Sequence, residues 1–347
     1  MNNDRIQEIL DLMEEARLDY FLISDPQSIA YCTGYYNDPH ERMFVFMISK
    51  HGNHTLFMND LFYLDHDLDV NIVWHKDGQD AIQTIVDEMH FPGRIGIDKN
   101  WASHFLLDLM KKLPDAKYIN ASPCVDLVRM KKDLQEQVLM IESSKINDAV
   151  MEEIIPFIQE GVTEKQLAKK LDELFFKHHS TCYGAIVAFG KNAADPHHEN
   201  DDTLLRKGDC VLIDMGCVYK GYCSDMTRTF FYEGILEEEI KVYEIVKKAN
   251  EAAEAMIKPG VKLSDIDKCA RKVISDEGYG KYFTHRLGHF IGRDVHEYGD
   301  VSSVNEMEVE EGMIFSIEPG IYLEGNFGVR VEDLVMVTKD GCQVLNS

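Results

Sequence analysis

Apolar residues at Ile6, Ile9, Leu10 and Met13 recur at the spacing of one helical face, so residues 5–18 are expected to form an amphipathic helix. Short runs of apolar and β-branched residues follow at 20–23, 43–48, 54–58, 71–74 and 94–97 and read as strands. Helical spacing returns between and after them, at 79–90 and 103–112. Alternating helix and strand segments describe a small α/β domain. The stretch 120–126, Asn-Ala-Ser-Pro-Cys-Val-Asp, has the proline and small polar residues of a connection, which places the expected domains at 1–122 and 123–347.

Beyond Asp133 the periodicity lengthens. Helices are expected at 134–157 and 163–178, and strands at 184–189 and 211–215. This half also resembles itself. IQEGVTEKQL at 158–167 precedes one helix, and IKPGVKLSDI at 257–266 precedes another. KGDCVLIDMG at 207–216 is echoed by EGMIFSIEPG at 311–320, each with a glycine turn, an apolar strand, a carboxylate, one residue and a glycine. A duplication with a pseudo-two-fold axis would set Asp214 opposite Glu318, and facing carboxylates need a cation.

Composition removes several functions from consideration. The 347 residues hold 36 Lys and Arg against 61 Asp and Glu, a formal charge of -25. Such a balance opposes nucleic acid and anionic lipid as partners. Residues 1–18 alternate charged with apolar positions and lack a signal-peptide pattern, and no run approaches a membrane span, so a cytoplasmic location is expected. The eight cysteines form no CxxC pair and read as reduced thiols, mostly buried. No GxxxxGK[ST] or dinucleotide pattern occurs, which sets phosphate chemistry aside.

Acids inside apolar strands are the informative ones, because burying an unpaired carboxylate costs several kcal/mol. Asp214 ends the run Val-Leu-Ile, Asp225 opens Met-Thr-Arg-Thr-Phe-Phe, and Glu332 interrupts Val329 to Val337. The two-residue period of a strand puts Arg330 and Glu332 on one face and Val329 and Val331 on the other. Any one of these acids, taken alone, is more simply a cap or an ion-pair partner. Together with Glu318 and a histidine in the glycine-framed segment THRLGHFIG, they compose a carboxylate-rich, single-imidazole set suited to Mn, Co or Zn at a hydrolytic centre.

Asp214, Asp225, His289, Glu318 and Glu332, in the settings IDMG, SDMTRT, GHFIG, SIEPG and VRVED, resemble the ligand set of the pita-bread metallopeptidases, the family of methionine aminopeptidase, aminopeptidase P and prolidase. The α/β domain in front resembles the N-terminal domain of the creatinase, aminopeptidase P and prolidase branch. The resemblance implies an α/β (α+β) architecture with a creatinase-like first domain and a pita-bread catalytic domain. It implies two divalent ions, manganese first, with Asp225 and Glu332 shared between them, Asp214 on one, and His289 with Glu318 on the other. A hydroxide between the ions would attack the scissile carbonyl, Glu318 would pass a proton to the leaving nitrogen, and His197 and His296 would hold substrate or steady the tetrahedral intermediate.

Within that branch, NDPHER at 37–42 and Arg293 resemble features of the prolidases of lactic acid and related bacteria. These are homodimers in which the corresponding loop helps to select dipeptides. The resemblance therefore implies an Xaa-Pro dipeptidase, with Asp38, His40, Glu41, Arg42, Arg293, His285 and Arg330 on the substrate side and Arg330 the natural partner of the free carboxylate. One departure is Phe290, which stands where the family has a small residue after the histidine and is expected to alter the pocket. The competing readings are an aminopeptidase P acting on longer peptides and a non-catalytic peptide-binding protein. The complete ligand set argues against the latter.

Overall fold

The computed structural model describes residues 1–90 and 92–346. They form two compact units, Met1–Arg129 and Met130–Ser347. In the first, a mixed sheet runs in the order Asn71–His75, Thr55–Asn59, Val45–Ser49, Tyr20–Ile23, Arg94–Ile97, Lys117–Asn120. The Tyr20–Ile23 strand is buried throughout because it is covered on both sides. Phe21 and Ile23 pack with Ile6, Ile9 and Met13 of the Asn3–Glu15 helix, whereas Tyr20 and Leu22 pack with Ile82, Ile85 and Leu109.

Three elements of this unit depart from the sequence reading, one of them the edge strand Lys117–Asn120, which was not expected. The short helix Pro26–Thr33 was not anticipated; Asp25 caps it by accepting from the Ser28 amide, and Pro26 occupies its first turn. The expected connection at 120–126 contains the start of the helix Ser122–Met130, where Asn120 Oδ1 accepts from the Ser122 amide. Its Cys124, Val125 and Val128 are buried in the first unit's core, so the break falls at 129/130 instead of 122/123.

The second unit uses one plan twice. Helices Leu134–Ile154 and Glu164–Lys177 precede the antiparallel strands Thr181–Phe189, Cys210–Tyr219 and Met226–Phe231. Helices Glu237–Glu254 and Leu263–Asp276 precede Gly288–His289, Ile314–Ile317 and Asp333–Val337, the last two antiparallel. This is the internal repeat expected from the paired sequence segments. Capping boxes at Asp133 with Glu136 and at Thr163 with Gln166 begin the first two helices.

The strand expected across 329–337 is broken at Val331 and Glu332. Phe327–Arg330 pairs with Gly320–Leu323, and Asp333–Val337 pairs with Ile314–Ile317. At the break the Glu332 amide donates to Thr227 O (3.1 Å) and its carbonyl accepts from Arg228 Nη1 (2.7 Å). The change of partner thus places Glu332 against the first repeat. All eight cysteines are free thiols, and among the described residues no helix is long and apolar enough to cross a membrane.

Candidate metal centre

Equivalent positions in the two repeats supply the opposing acids. Asp214 projects from the Cys210–Tyr219 strand, and Glu318 follows Ile314–Ile317. Asp225 immediately precedes Met226–Phe231, Glu332 occupies the strand break, and His289 ends the short strand Gly288–His289. Close backbone approach explains the adjoining glycines: a Cβ on Gly216 would overlap the Tyr183 hydroxyl and Ser224 carbonyl, and one on Gly288 would overlap Ser316 O.

Asp225, His289 and Glu332 are buried, and one ligand atom from each lies within 4.8 Å of the others. His289 Nδ1 donates to Phe290 O at 3.2 Å, which leaves the Nε2 lone pair facing the acids. That nitrogen is 3.5 Å from Asp225 Oδ2 and 3.7 Å from Glu318 Oε1, too far for a good hydrogen bond but suited to groups that share an ion. The Ser316 hydroxyl accepts from the His289 amide (3.0 Å) and donates to Glu318 Oε1 (3.2 Å), fixing these two residues relative to each other.

The charge balance also asks for a cation. Burial pushes the Glu318 carboxyl up to about 7 and that of Glu332 well above the ordinary range, with the neighbouring acids adding to both shifts. Burial raises Asp214 as well, against the pull of Arg330. Arg330 Nη2 bonds Asp214 Oδ2 at 2.7 Å, Nη1 bonds the Tyr322 hydroxyl at 2.9 Å, and Nε bonds Thr227 Oγ1 at 3.0 Å. The Thr227 hydroxyl in turn donates to Glu332 Oε2 at 2.6 Å. One guanidinium among four carboxylates leaves negative charge that divalent ions would balance, so the donor set fits such ions.

Asp214, Asp225, His289, Glu318, Arg330 and Glu332 line a cavity of about 760 Å³ that also receives His197, His285 and His296. His296 lies edge-on to His289 with ring centroids 4.2 Å apart, and partial desolvation, followed by the influence of His289, lowers its pKa to about 4. Burial likewise keeps His285 neutral, down to about 4. Its Nδ1 donates to Arg286 O (2.7 Å), so Nε2 accepts from Tyr322 OH (2.8 Å). Tyr322, Thr227, Tyr183 and Arg286 were not singled out in the sequence. Thr227 alone carried a signal, since the strand period puts it on the face of Asp225.

Arg293 does not line this cavity; its guanidinium lies over the Tyr222 ring at 5.4 Å. Asp38, His40, Glu41 and Arg42 belong to the first unit. There Asp38 Oδ1 accepts from the His40 amide (3.0 Å), and Arg42 pairs with Glu41 (2.9 Å) and bidentately with Asp77 (3.0 and 2.9 Å). Phe290 is fully buried against Phe315, at 5.3 Å between rings, and does not shape the cavity wall as expected, because the strand turns it away from the face His289 presents.

Comparison with known proteins agrees with this geometry. Residues 138–339 match the model of metallopeptidase family M24, and residues 5–131 match the creatinase/prolidase N-terminal domain. An uncharacterized peptidase of Staphylococcus aureus (strain bovine RF122 / ET3-1) is 35% identical over 350 residues, covering 98% of each chain. The crystal structure of a dipeptidase from Pyrococcus horikoshii OT3 is similar with a TM-score of 0.92 and 35% identity, over 99% of this chain and 98% of that one. A prolidase from Thermococcus sibiricus gives a TM-score of 0.92 and 32% identity, over 100% and 97%. The buried acids and histidine therefore sit in a known architecture: the chain belongs to metallopeptidase family M24, in the two-domain form that begins with a creatinase/prolidase N-terminal domain.

Proposed function

We propose that this peptidase is an Xaa-Pro dipeptidase, hydrolysing the bond before a C-terminal proline at a dinuclear centre. The observation that carries the reading is the buried convergence of Asp225, His289 and Glu332 beside Asp214 and Glu318 in a cavity large enough for a dipeptide. Similarity to a dipeptidase and a prolidase over nearly the whole chain supports the substrate class. Asp214, Asp225, His289, Glu318 and Glu332 would hold two divalent ions, manganese first, with cobalt or zinc as alternatives. Bound there, such ions supply a water of lowered pKa and polarise the scissile carbonyl.

The protein's own groups complete the reaction. Glu318, which lines the cavity, would take a proton from the attacking water and pass it to the leaving proline nitrogen. His197 and His296, on the cavity wall, steady the developing negative charge on the carbonyl oxygen. Arg330 and His285 form the wall that meets the free carboxylate of the substrate, and that requirement restricts the enzyme to dipeptides. The reading includes a homodimer in which the loop at 37–42 and Arg293 contribute to dipeptide selection, as the resemblance implies. Sedimentation of the purified chain tests that part.

The decisive assay supplies manganese-loaded protein with an Xaa-Pro dipeptide and the matched Xaa-Pro-Xaa tripeptide. Cleavage of the dipeptide in preference to the tripeptide is expected. Exclusive cleavage of the tripeptide makes the protein an aminopeptidase P, and cleavage of neither removes the catalytic reading.

A further inference from the structure

Outside the metal centre, Glu164 and Asp267 are both fully buried carboxylates, and the donors of Glu164 lie on the segment that reaches the cavity wall. Glu164, the first residue of the Glu164–Lys177 helix, is 0% exposed. Its Oε1 accepts from the Phe189 amide (2.9 Å) and Asn192 Nδ2 (2.9 Å). Its Oε2 accepts from His198 Nε2 (2.7 Å) and the Asp201 amide (3.0 Å). Glu164, His198 and Asp201 lie close enough together to suggest an ion site. The occupancy of the carboxylate argues otherwise, since both oxygens are already filled by N–H donors and a cation would have to displace backbone amides.

All of those donors lie on one segment, the chain from the end of the Thr181–Phe189 strand to Asp201. That segment also carries Pro196 and His197 into the cavity wall. A second fixture holds its far end: Asn200 Oδ1 accepts from the Val187 amide (2.7 Å) and its Nδ2 donates to Ala185 O (2.7 Å), so the side chain pairs with the strand as a backbone would. Between these fixtures the chain turns on Asp195, whose Oδ1 accepts from the His197 amide at 3.0 Å. The consecutive histidines thus face different ways, His197 to the cavity and His198 to the buried acid.

The geometry points to Glu164, with His198, as the positioning pair that sets His197 over the reaction site. The inference rests on the catalytic placement of His197 proposed above. Glu164 touches neither the cavity nor a ligand, and it acts only through the segment it gathers. A buried carboxylate is suited to this because four N–H donors aimed at one group fix a loop in distance and in direction.

The test uses the full chain carrying Glu164→Gln, His198→Ala or His198→Gln, with His197→Asn as the reference for loss of the ring. Manganese titration gives metal affinity, Xaa-Pro hydrolysis gives kcat and KM, and long-range 1H–15N spectra of zinc-loaded protein report the imidazole of His197 without turnover. Glu164→Gln is expected to lower kcat by about 10- to 100-fold, to leave KM and metal affinity unchanged, and to shift or broaden the His197 signals while those of His296 stay in place. His198→Ala behaves the same way, and His198→Gln, which restores an N–H near the Nε2 position, recovers most of the loss. Unchanged kcat and unmoved His197 signals in Glu164→Gln and His198→Ala overturn the proposal, as does a loss of metal affinity in either. Should Glu164→Gln fail to fold, His198→Ala decides the matter by the same readouts. A wild-type protein that hydrolyses no dipeptide defeats the catalytic reading alone, since the ring spectra still report whether Glu164 and His198 set the position of His197.

Discussion

Thr227→Val isolates the support of the metal centre from its ligands. The threonine is fully buried, and valine fills the same space without the hydroxyl. That hydroxyl spends its one proton on Glu332 Oε2 at 2.6 Å and accepts from Arg330 Nε at 3.0 Å. A hydrogen bond to a charged group contributes about 1.5–3 kcal/mol, and losing it frees Glu332 to rotate away from Asp225. Metal affinity is therefore expected to fall by about 10- to 100-fold, the usual cost of removing an outer partner of a ligand. The Arg330 Nε–H, left unpaired in the interior, costs about 1–3 kcal/mol more in stability, at about 2–4 °C of Tm per kcal/mol. Calorimetric titration of manganese into metal-stripped protein and thermal unfolding of the same samples measure both effects, with Thr227→Ser as the control that keeps the hydroxyl. A Thr227→Val protein with wild-type metal affinity would refute the coupling of Glu332 to Arg330 through this residue.

Asp225→Asn preserves shape but removes the charge at the centre of the buried cluster; bound metal by elemental analysis and peptide hydrolysis should both fall, the latter by at least about 100-fold. Arg330→Lys cannot bond Asp214, Tyr322 and Thr227 at once, so KM for an Xaa-Pro dipeptide should rise and stability should drop by about 1–3 kcal/mol, measured by steady-state kinetics and urea unfolding. Glu254 ends the Glu237–Glu254 helix, where the dipole disfavours an anion, and burial with help from Asp333 raises its pKa from 4.5 to about 7. Between those values the unfolded chain has released the proton and the folded chain still holds it, so this residue's contribution falls as pH rises from 4.5 to 7. Glu254→Gln should flatten that decline and gain about 2 kcal/mol above pH 7, after allowance for solvent at a half-buried site; identical Tm–pH curves for the two proteins would contradict it.

The acids of the candidate centre were legible because each lies within or directly beside an apolar strand, and a carboxylate there is costly to bury unpaired. Arg330 was legible for a related reason, the two-residue period that put it on the face of Glu332. Thr227 shared that kind of signal, lying two residues from Asp225, but Tyr322 carried none, because a tyrosine in a strand is what β-propensity and packing already favour and it does not look out of place until its hydroxyl is seen between Arg330 and His285. The helix Ser122–Met130 hid behind Asn120, Ser122 and Pro123, since the residues that cap and open a helix are also those that mark a turn.

The same limit applies to Glu164. In sequence it opens a helix after Thr163, where an acid is expected for the dipole and for capping, and nothing local distinguishes it from Glu237 at the start of another helix. What distinguishes it is the fold, which brings the turn after the Thr181–Phe189 strand down onto it and so converts a helix-end acid into the buried acceptor for Phe189, Asn192, His198 and Asp201. Ligands betray themselves by the cost of their own burial. Residues that hold the candidate ligands and the proposed catalytic histidines in place are ordinary types in ordinary positions, and only their partners, distant in sequence, give them a role.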